Sequence, residues 1–490
     1  MFDAQEVTPW YRSTLTKVLV LVVIVLLGAG SVFFYIARRS GKEAHYAELE
    51  ADRARQRAQV PGSVEQPAAA ANPPLQAASP GATAANGQAA TPGAATAETA
   101  AAHATRNYWT NFRGPNRDGR YDEMPVITKW PAQGLPLLWK QPVGLGYSSF
   151  TIADGRAYTV EQRRNKEVAA AYDVSTGHEL WTQSWNAEYR DTTGDGPRTT
   201  PTWDDGRLYT LGATGELRCL DAKTGAVVWG KNILSDNQAA NLQWAMAASP
   251  LIVDDKVIVL PGGSSGKSVV AYNKMTGAPV WKSQGDQAAY VSPMLVTLAG
   301  RRQILVETAS RILGLAPEDG SLLWSQLWDT SMGINVSQPI IVDKNRFFLS
   351  SGYGKGAALV EISGSGKSFA ARTVWENISM KNKFNSSVLN EGFIYGLDEG
   401  ILTCLDVNTG ERKWKGGRYG YGQVLAASGH LIVMSDTGEL ALVKATPNEY
   451  SEVARFAALE GQTWNYPAIA GGRLFVRNAN QMAAYNIAAN

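Results

Sequence analysis

Seven residues carry the side chains needed to bind an anionic, aromatic ligand, and each stands close ahead of a short apolar segment. Guanidinium and ammonium groups pair with carboxylates, amides complete the hydrogen bonds, and indole faces provide stacking surfaces. They are Arg198, Trp244, Asn335, Lys383, Asn385, Trp464 and Asn465. If the apolar segments line one channel, these residues lie at its mouth. They then form a pocket for a small ligand or cofactor, a protein-contact surface, or a solvated polar rim.

Carboxylates are scarce around these positions. Asp191 and Asp195 precede Arg198, and Asp286 and Asp329 lie in later loops. A general base must lie beside its substrate, and Ca²⁺ requires several oxygen ligands. No Glu, Asn and Asp set occurs at matching positions, and the two Cys and four His residues show no metal-ligand spacing. We therefore assign no catalytic residue and no metal site.

The elements that position these residues come from an internal repeat. An apolar or aromatic residue is followed, in most copies, by a short polar residue, then by Thr-Gly or Asp-Gly, with Trp four residues after the Gly. The clear copies are YDVSTGHELW, LDAKTGAVVW, YNKMTGAPVW, LAPEDGSLLW and LDVNTGERKW, at residues 172–181, 220–229, 272–281, 315–324 and 405–414. Gly supplies the positive φ of a tight hairpin, and the Trp fills one repeated niche between sheets.

Two degenerate copies and one substitution complete the series. The tryptophans predicted to fill the structural niche are Trp139, Trp181, Trp229, Trp281, Trp324, Trp375 and Trp414, and Phe456 takes the eighth position. They recur roughly every 40–50 residues, which is the period of a β-propeller. Eight apolar hairpins follow the eight positions. The sequence therefore predicts an all-β, eight-bladed propeller of four-stranded blades over residues 107–490.

Closure of the ring follows from the same count. Seven complete blades lie between Trp139 and Phe456. The eighth must combine the C-terminal strands with the strand that leads into Trp139. Pairing the two chain ends in one sheet leaves the ring without an exposed edge.

The N-terminal part differs in character from the repeat domain. Residues 1–17 form a short tail, and residues 18–37 contain no charge between Lys17 and Arg38. About 20 apolar residues suffice for a transmembrane helix. We predict an uncleaved transmembrane helix there. The basic residues on both sides lean weakly towards a cytoplasmic location for the C-terminal side.

Two segments connect this helix with the propeller. Residues 38–60 are rich in Ala, Glu, Arg and Gln, and a charged helical juxtamembrane segment is predicted. Residues 61–106 are rich in Ala, Pro, Gly and Thr with very few charges, and a disordered linker is predicted.

Composition agrees with an all-β domain and argues against some partners. The net charge of +2 creates no strong field for nucleic acid, whereas 15 Trp and 48 Gly suit a hairpin-rich fold. Cys219 and Cys404 occupy the same repeat position in blades predicted to be opposite each other. They are too far apart to form a disulfide.

The Asp-x-x-Thr-Gly-x-x-x-Trp repeat resembles that of the pyrroloquinoline-quinone-like, or quinoprotein alcohol dehydrogenase-like, β-propellers over about residues 108–490. The Trp-x-x-Phe-Arg-Gly-Pro motif at residues 109–115 is similar to a leader found in many bacterial members. This resemblance implies one of two functions. Some members are quinone-dependent dehydrogenases that hold the quinone with Ca²⁺, and others are cofactor-free, such as the propeller lipoprotein of outer-membrane protein assembly.

The missing carboxylates and the predicted tether favour the second class. We expect a membrane-anchored cell-envelope scaffold that binds a protein partner, without a cofactor and without nucleic acid. The alternative is a dehydrogenase that uses pyrroloquinoline quinone (PQQ) with Ca²⁺ to oxidise an alcohol or sugar. Because such propellers generally work outside the cytoplasm, the resemblance implies a single-pass inner-membrane protein with a periplasmic propeller.

The leader YWTNFRGPNRDGR, residues 108–120, is as polar as the predicted mouth. Its Gly-Pro and Asp-Gly pairs are typical of turns. Trp109 and Phe112 can pack against the ring, and Arg113 can bind backbone carbonyls or a carboxylate. We interpret this leader as a latch at the closing blade.

Overall fold

Eight antiparallel four-stranded sheets succeed one another in the computed structural model, which describes residues 19–21, 40–58, 108–366 and 368–489. Seven consist of consecutive strands, and the eighth combines strands from the two ends of the repeat domain. One sheet carries a fifth strand from the leader. This arrangement confirms the predicted eight-bladed propeller. Within a blade the inner strands are buried and the outer strand alternates between buried and exposed positions, because only one of its faces packs on a neighbouring blade.

The strands of each blade are given from the channel outwards. Blade 1 contains Thr151–Ala153, Arg156–Arg163, Lys166–Asp173 and Glu179–Asn186, and blade 2 contains Thr202–Asp204, Arg207–Leu211, Glu216–Asp221 and Val227–Asn232. Blade 3 contains Leu251–Val253, Lys256–Val259, Val269–Asn273 and Pro279–Ser283, and blade 4 contains Met294–Leu298, Arg301–Glu307, Arg311–Leu315 and Leu322–Leu327. Blade 5 contains Ile340–Ile341, Arg346–Ser351, Gly356–Ser365 and Ser368–Asn377, and blade 6 contains Val388–Asn390, Phe393–Asp398, Ile401–Asp406 and Arg412–Arg418. Blade 7 contains Gln423–Ala427, His430–Met434, Glu439–Lys444 and Glu452–Ala457, and blade 8 contains Ala468–Ala470, Arg473–Arg477, Gln481–Asn486 and Leu137–Pro142.

Blade 8 closes the ring as predicted. Its outer strand, Leu137–Pro142, pairs antiparallel with Gln481–Asn486 near the other end of the chain. Phe456 lies in the outer strand of blade 7 and packs edge-on against Tyr485, with ring centroids 5.3 Å apart. It therefore occupies the position that the repeat assigns to Trp in other blades.

The repeated Trp and Gly interlock between consecutive blades. The indole N–H groups of Trp139, Trp181, Trp229, Trp281, Trp375 and Trp414 donate to the carbonyls of Val174, Ala222, Lys274, Pro317, Val407 and Thr446 in the next blade. Five of these rings, all except that of Trp414, also lie on a turn glycine of the next blade. A Cβ on Gly225 would come within 2.5 Å of the Trp181 ring. The glycine thus serves both the turn and the contact between blades.

Trp324 departs from this pattern. Its indole N–H donates to Gln303 Oε1 at 2.6 Å, within its own blade. Blade 5 replaces the short Gly turn with a longer hairpin between Gly356–Ser365 and Ser368–Asn377, so it lacks the usual acceptor and glycine surface. Trp324 is nevertheless buried between blades 4 and 5, where it stacks on Phe347 of blade 5 with ring centroids 5.7 Å apart, so it differs from the other six tryptophans in its hydrogen bond and not in its place between sheets.

Two helices lie outside the blades. Helix α1, residues 40–58, packs on blades 8 and 1 through Tyr46, Leu49, Arg53 and Gln56, whose 3-4-3 spacing places them on one helix face. The short helix α2, Ile233–Asn237, follows blade 2 and begins at Asn232, whose side chain accepts hydrogen bonds from two backbone N–H groups.

Most of the predicted transmembrane span lies outside the described residues. Leu19, Val20 and Leu21 are described, and they are helical and exposed. Within the described ranges no helix combines the length and apolar character needed to cross a bilayer. The predicted tail, residues 1–17, and linker, residues 61–106, are also outside the described residues.

The leader forms a plug across one end of the channel, which we call the floor, residues 108–123. Its backbone bonds blade 1 at Ile152 and blade 2 at Trp203, and its strand Arg120–Tyr121 pairs parallel with the inner strand of blade 7. The leader contacts the closing blade as predicted, because Phe112 packs on Tyr466 and Tyr121 accepts from the Gly472 N–H, but it also crosses the channel and reaches most of the ring.

Two buried arginines anchor the floor. Arg117 donates to the carbonyls of Ser249, Pro250 and Pro293 in blades 3 and 4. Arg113 donates to the Ser387 carbonyl at 2.7 Å, and its guanidinium lies 5.1 Å from the ring centroid of Tyr466. Burial lowers the pKa of Arg117 to about 9. The carbonyl acceptors are dipoles that solvate this cation within the protein.

Candidate functional site

The mouth lies at the end of the channel opposite the floor, where loops lead from each outer strand to the next inner strand. A belt of partly exposed aromatic residues surrounds it, seven in these loops and Tyr353 in a hairpin of blade 5. Its members are Tyr147, Tyr189, Trp244, Tyr290, Tyr353, Phe384, Tyr421 and Trp464. Every blade therefore contributes an aromatic side chain to one rim, which we call the aromatic belt.

The belt rings contact one another. Tyr147 stacks on Trp464 with centroids 5.6 Å apart and an interplanar angle of 25°. Phe384 lies 5.2 Å from Trp464 and 5.0 Å from Tyr421. These contacts join four members across blades 1, 6, 7 and 8 into one rigid apolar surface.

Two cations lie over the belt. The Arg198 guanidinium is 4.6 Å from the Tyr189 ring centroid and 5.4 Å from that of Tyr147. Lys383 Nζ lies 5.4 Å from the Tyr421 centroid and 5.8 Å from the Tyr353 centroid. Burial lowers the pKa of Arg198, because desolvation disfavours its charged form. Cation–π contacts hold both charges at the rim, and Arg198 is held further by hydrogen bonds to the Gly194 and Gly196 carbonyls.

The three predicted amides are buried parts of the framework. Asn335 Nδ2 donates to the carbonyls of Thr308 and Trp328, and its Oδ1 accepts from Ser351 Oγ at 2.7 Å. Such a fully engaged side chain holds two loops together. It is unable to reach a ligand at the rim.

In each of the Asn385 and Asn465 side chains, only one of the two polar atoms is hydrogen-bonded. Asn465 Nδ2 donates to the carbonyls of Gly146 and Ser148, whereas Asn385 Oδ1 accepts from Asn382 Nδ2 at 2.7 Å. Asn385 Nδ2 and Asn465 Oδ1 find no partner among the described residues. The seven predicted residues therefore do not form one pocket: Arg198, Trp244, Lys383 and Trp464 lie at the rim, and the three amides lie beneath it.

Three of the four nearby carboxylates are paired with protein cations. Asp195 forms an ion pair with Lys42, Asp286 accepts from Arg311 Nε at 2.7 Å, and Asp329 pairs with Lys355. Within the described residues no three His, Cys, Asp or Glu side chains are grouped so as to hold a metal ion. The mouth does not fit a Ca²⁺-held quinone, since its rings stack on one another and three of its four acids are paired with cations.

Sequence reasoning missed a set of hydroxyl groups that joins blades beneath the mouth. Thr200 Oγ1 accepts from the backbone N–H of Ser149, Ser249 Oγ from Thr200, and Ser292 Oγ from Ser249. Each of these acceptors precedes a Pro at the start of an inner strand. The recurring Ser-Pro or Thr-Pro pair was the available signal. These bonds fix neighbouring inner strands relative to each other and give the mouth a rigid base.

A buried acid was missed as well. Glu307 ends the second strand of blade 4 and is fully buried, and neither carboxylate oxygen has a hydrogen-bond partner among the described residues. Burial raises its pKa well above the usual value. Counting from the pairs Met294↔Leu305 and Leu251↔Ile258, the equivalent position in blade 3 is Leu260.

Comparison with known proteins identifies two groups of relatives. A family model described as outer membrane protein assembly factor BamB matches residues 164–416. The BamB protein of Shewanella oneidensis is 27% identical over 174 residues, which are 33% of this chain and 40% of that protein. The quinohemoprotein alcohol dehydrogenase ADH-IIG of Pseudomonas putida is 25% identical over 197 residues, 38% of this chain and 26% of that enzyme. The matches thus span less than half of either relative.

Solved structures show the same fold. BamB from Moraxella catarrhalis superposes with a TM-score of 0.53 at 18% identity, over 72% of this chain and 99% of that one. The Pseudomonas putida ADHIIG structure gives 0.55 at 14% identity, over 78% and 81%. Together the matches confirm the resemblance to the pyrroloquinoline-quinone-like propellers.

Proposed function

The chain belongs to the family described as outer membrane protein assembly factor BamB, and from this premise we propose that it is a non-catalytic protein-binding scaffold of the cell envelope. The observation that carries the proposal is the aromatic belt with Arg198 and Lys383 held over it. Tyr, Trp and Arg are enriched among the residues that dominate the energetics of protein interfaces. Tyr and Trp bury large areas at a small cost in side-chain entropy.

The surroundings of the belt support binding rather than catalysis. The floor closes the other end of the channel, and the hydroxyl groups beneath the mouth link neighbouring blades. A surface that is already ordered loses little conformational entropy when a partner binds. Asp195 and Asp286 are occupied by Lys42 and Arg311, so neither is poised as a general base.

We also propose that residues 18–37 span the inner membrane once and that the propeller lies in the periplasm. The uncharged stretch has the length of a bilayer span, and the helical, exposed Leu19–Leu21 agrees with it. An alkaline-phosphatase fusion after residue 105 tests the orientation. An inactive fusion would place the propeller in the cytoplasm.

Site-specific photo-crosslinking in intact membranes tests the scaffold. A photoreactive residue at Trp244, in the belt, is expected to capture one reproducible protein partner. The same residue at Met275, exposed on the hairpin turn of blade 3 at the opposite face, serves as the matched control. Arg198→Ala with Lys383→Ala should weaken the Trp244 adduct. Equal adducts at both positions, or none at the belt, would contradict the proposal.

A PQQ-dependent dehydrogenase of an alcohol or sugar is the second proposal. It draws on the match to ADH-IIG and on the two cations, whose charge suits an anionic quinone. The stacked rings and paired acids argue against it. Adding the quinone with Ca²⁺ to the protein should leave its absorbance unshifted and give no dye reduction with alcohols or sugars. Tight binding with turnover would overturn the scaffold in favour of the enzyme.

A further inference from the structure

Helix α1 is docked along the side of the ring rather than projecting from it. Leu49 is 2% exposed and Arg53 is 4% exposed. Arg53 donates to the Pro142 carbonyl at 2.8 Å and to Gln141 Oε1 at 3.1 Å, and its guanidinium lies over the Tyr172 ring. Buried contacts to both blades 8 and 1 hold the helix in one position.

Charged pairs flank this buried stripe. Arg164, in a hairpin at the mouth end of blade 1, contacts Glu43 and Glu50 on α1, and it also lies over the Tyr46 ring. His45 Nε2 lies 2.8 Å from the Val143 carbonyl. Apolar, aromatic and ionic contacts therefore act together along nearly four turns of the helix.

The direction of α1 is fixed by its two ends. Lys42 pairs with Asp195 in the loop before blade 2, at the mouth. Gln56 accepts from the backbone N–H of Glu179, where the outer strand of blade 1 begins at the opposite face. The helix therefore runs from the mouth towards the opposite face, which we call the hairpin face because it carries the turns between the third and outer strands of the blades. The 14 residue steps from Lys42 to Gln56 span about 21 Å.

The chain enters α1 at the mouth. Only five residue steps separate Ala37, at the end of the uncharged stretch, from Lys42. Even a fully extended chain covers no more than about 18 Å in five steps. If residues 18–37 lie in a bilayer, the headgroup layer is within that distance of the mouth.

We infer that α1 holds the ring with its mouth face against the headgroup layer of the bilayer, which rests on the proposed anchoring. Exposed apolar side chains occur at both faces and do not distinguish them. The belt does, because Tyr and Trp favour the membrane–water interface and Arg198 and Lys383 attract anionic lipid. In this orientation the mouth faces the bilayer, and a partner confined to the periplasm reaches only the hairpin face. A partner of the scaffold that binds the mouth must therefore present its bound segment at the membrane surface.

Fluorescence quenching by lipid tests the orientation with a matched pair of positions. Met332 lies in a loop at the mouth face and is 62% exposed, and Met275 lies at the hairpin face and is 47% exposed. The two native cysteines are buried, so a fluorophore can be attached to Met332→Cys or Met275→Cys in the full-length chain. The protein is placed in phosphatidylethanolamine–phosphatidylglycerol liposomes that contain a headgroup-nitroxide lipid.

Quenching at Met332→Cys should exceed that at Met275→Cys at least about three-fold, because the docked helix separates the two faces by ~21 Å. Adding Leu49→Asp and Arg53→Ala should release α1 and remove the difference, with the melting temperature measured to confirm that the ring stays folded. Equal quenching in the parent protein overturns the inference. Flotation of the same samples separates the causes: a chain that fails to float refutes the anchoring itself, and a floating chain with equal quenching refutes only the orientation.

Discussion

The floor and the mouth close opposite ends of the same channel with similar residue types, yet they differ in burial. Trp109, Arg113 and Arg117 in the floor are almost completely buried, and the arginines donate to backbone carbonyls. Trp464 and Arg198 at the mouth remain partly exposed, and Arg198 lies over aromatic rings and donates to the Gly194 and Gly196 carbonyls of its own loop. Residue type alone therefore does not distinguish the floor from the mouth, whereas burial does, together with whether the backbone acceptors belong to other blades.

This difference implies two separate roles. Backbone carbonyls keep their positions once the ring is closed, so a cation bonded to several of them ties blades together. A cation over a half-exposed ring keeps a face free for another molecule. Mutations should accordingly lower stability at the floor and impair binding at the mouth.

The largest effect is expected for Trp109→Ala. The side chain is fully buried in the floor, and removing a buried Trp costs about 3–5 kcal/mol of the free energy of unfolding. Trp464→Ala at the mouth is the control and should cost less than half as much. Thermal and denaturant unfolding measure both. Equal losses would erase the distinction between the two ends.

A pair of glycines sharpens the comparison. Gly119 in the floor and Gly333 at the mouth both have positive φ, +74° and +64°. Gly333→Ala should cost about 1 kcal/mol from left-handed strain alone. Gly119→Ala should cost about 2–3 kcal/mol, because its Cβ would come within 2.5 Å of the Arg113 guanidinium. Similar melting temperatures for the two variants would show that Arg113 is not confined.

Replacing Glu307 is expected to raise stability, whereas the substitutions above lower it. Replacing this unpaired buried acid with Leu should raise the free energy of unfolding by about 1–3 kcal/mol at neutral pH. Burial raises the pKa of Glu307 in the folded state above the value of 4.5 that applies in the unfolded chain. Above pH 4.5 the unfolded chain therefore releases a proton that the folded protein keeps. Stability should therefore fall as pH rises from that value, until the raised pKa is passed.

The matched control for this pH dependence is Glu307→Gln. This variant removes titration and keeps a polar side chain, so it should flatten the pH profile with a smaller gain in stability than Glu307→Leu. Unfolding curves collected between acidic and neutral pH measure both effects. An unchanged profile in both variants would show that Glu307 does not titrate as its burial implies.

The smallest change in stability is expected at the mouth cations. Lys383→Ala removes partly exposed cation–π contacts, worth about 0.5–1 kcal/mol at most. Arg198→Ala removes such contacts together with two hydrogen bonds to carbonyls of its own loop, those of Gly194 and Gly196. The melting temperature should scarcely change for Lys383→Ala and fall modestly for Arg198→Ala, while the partner adduct from the belt weakens in both. A large loss of stability without loss of the adduct would place these residues in the framework together with Asn335.

The repeat predicted the fold in detail, and the candidate site only in part. The Gly and Trp positions gave eight blades and the closing pair of strands, because each blade's hairpin is a local structure that recurs. The same pattern did not show that the N–H of Trp324 bonds within its own blade, since the usual acceptor would lie in the next blade, where the hairpin is longer. The mouth positions were placed at the correct end of the channel, but burial separated Asn335, Asn385 and Asn465 from the four rim residues.

The sequence by itself determined the blade count, the closure of the ring and the polar and aromatic character of both channel ends. These properties depend on residue spacing and on local turn chemistry, both of which are local features of the sequence. Only the tertiary structure decided that the leader crosses the channel as a floor, that Asp195 meets Lys42, and that α1 descends from the mouth. Those contacts join residues from 123 to 176 positions apart, and which of many polar groups meet is set by the packed ring rather than by any local pattern.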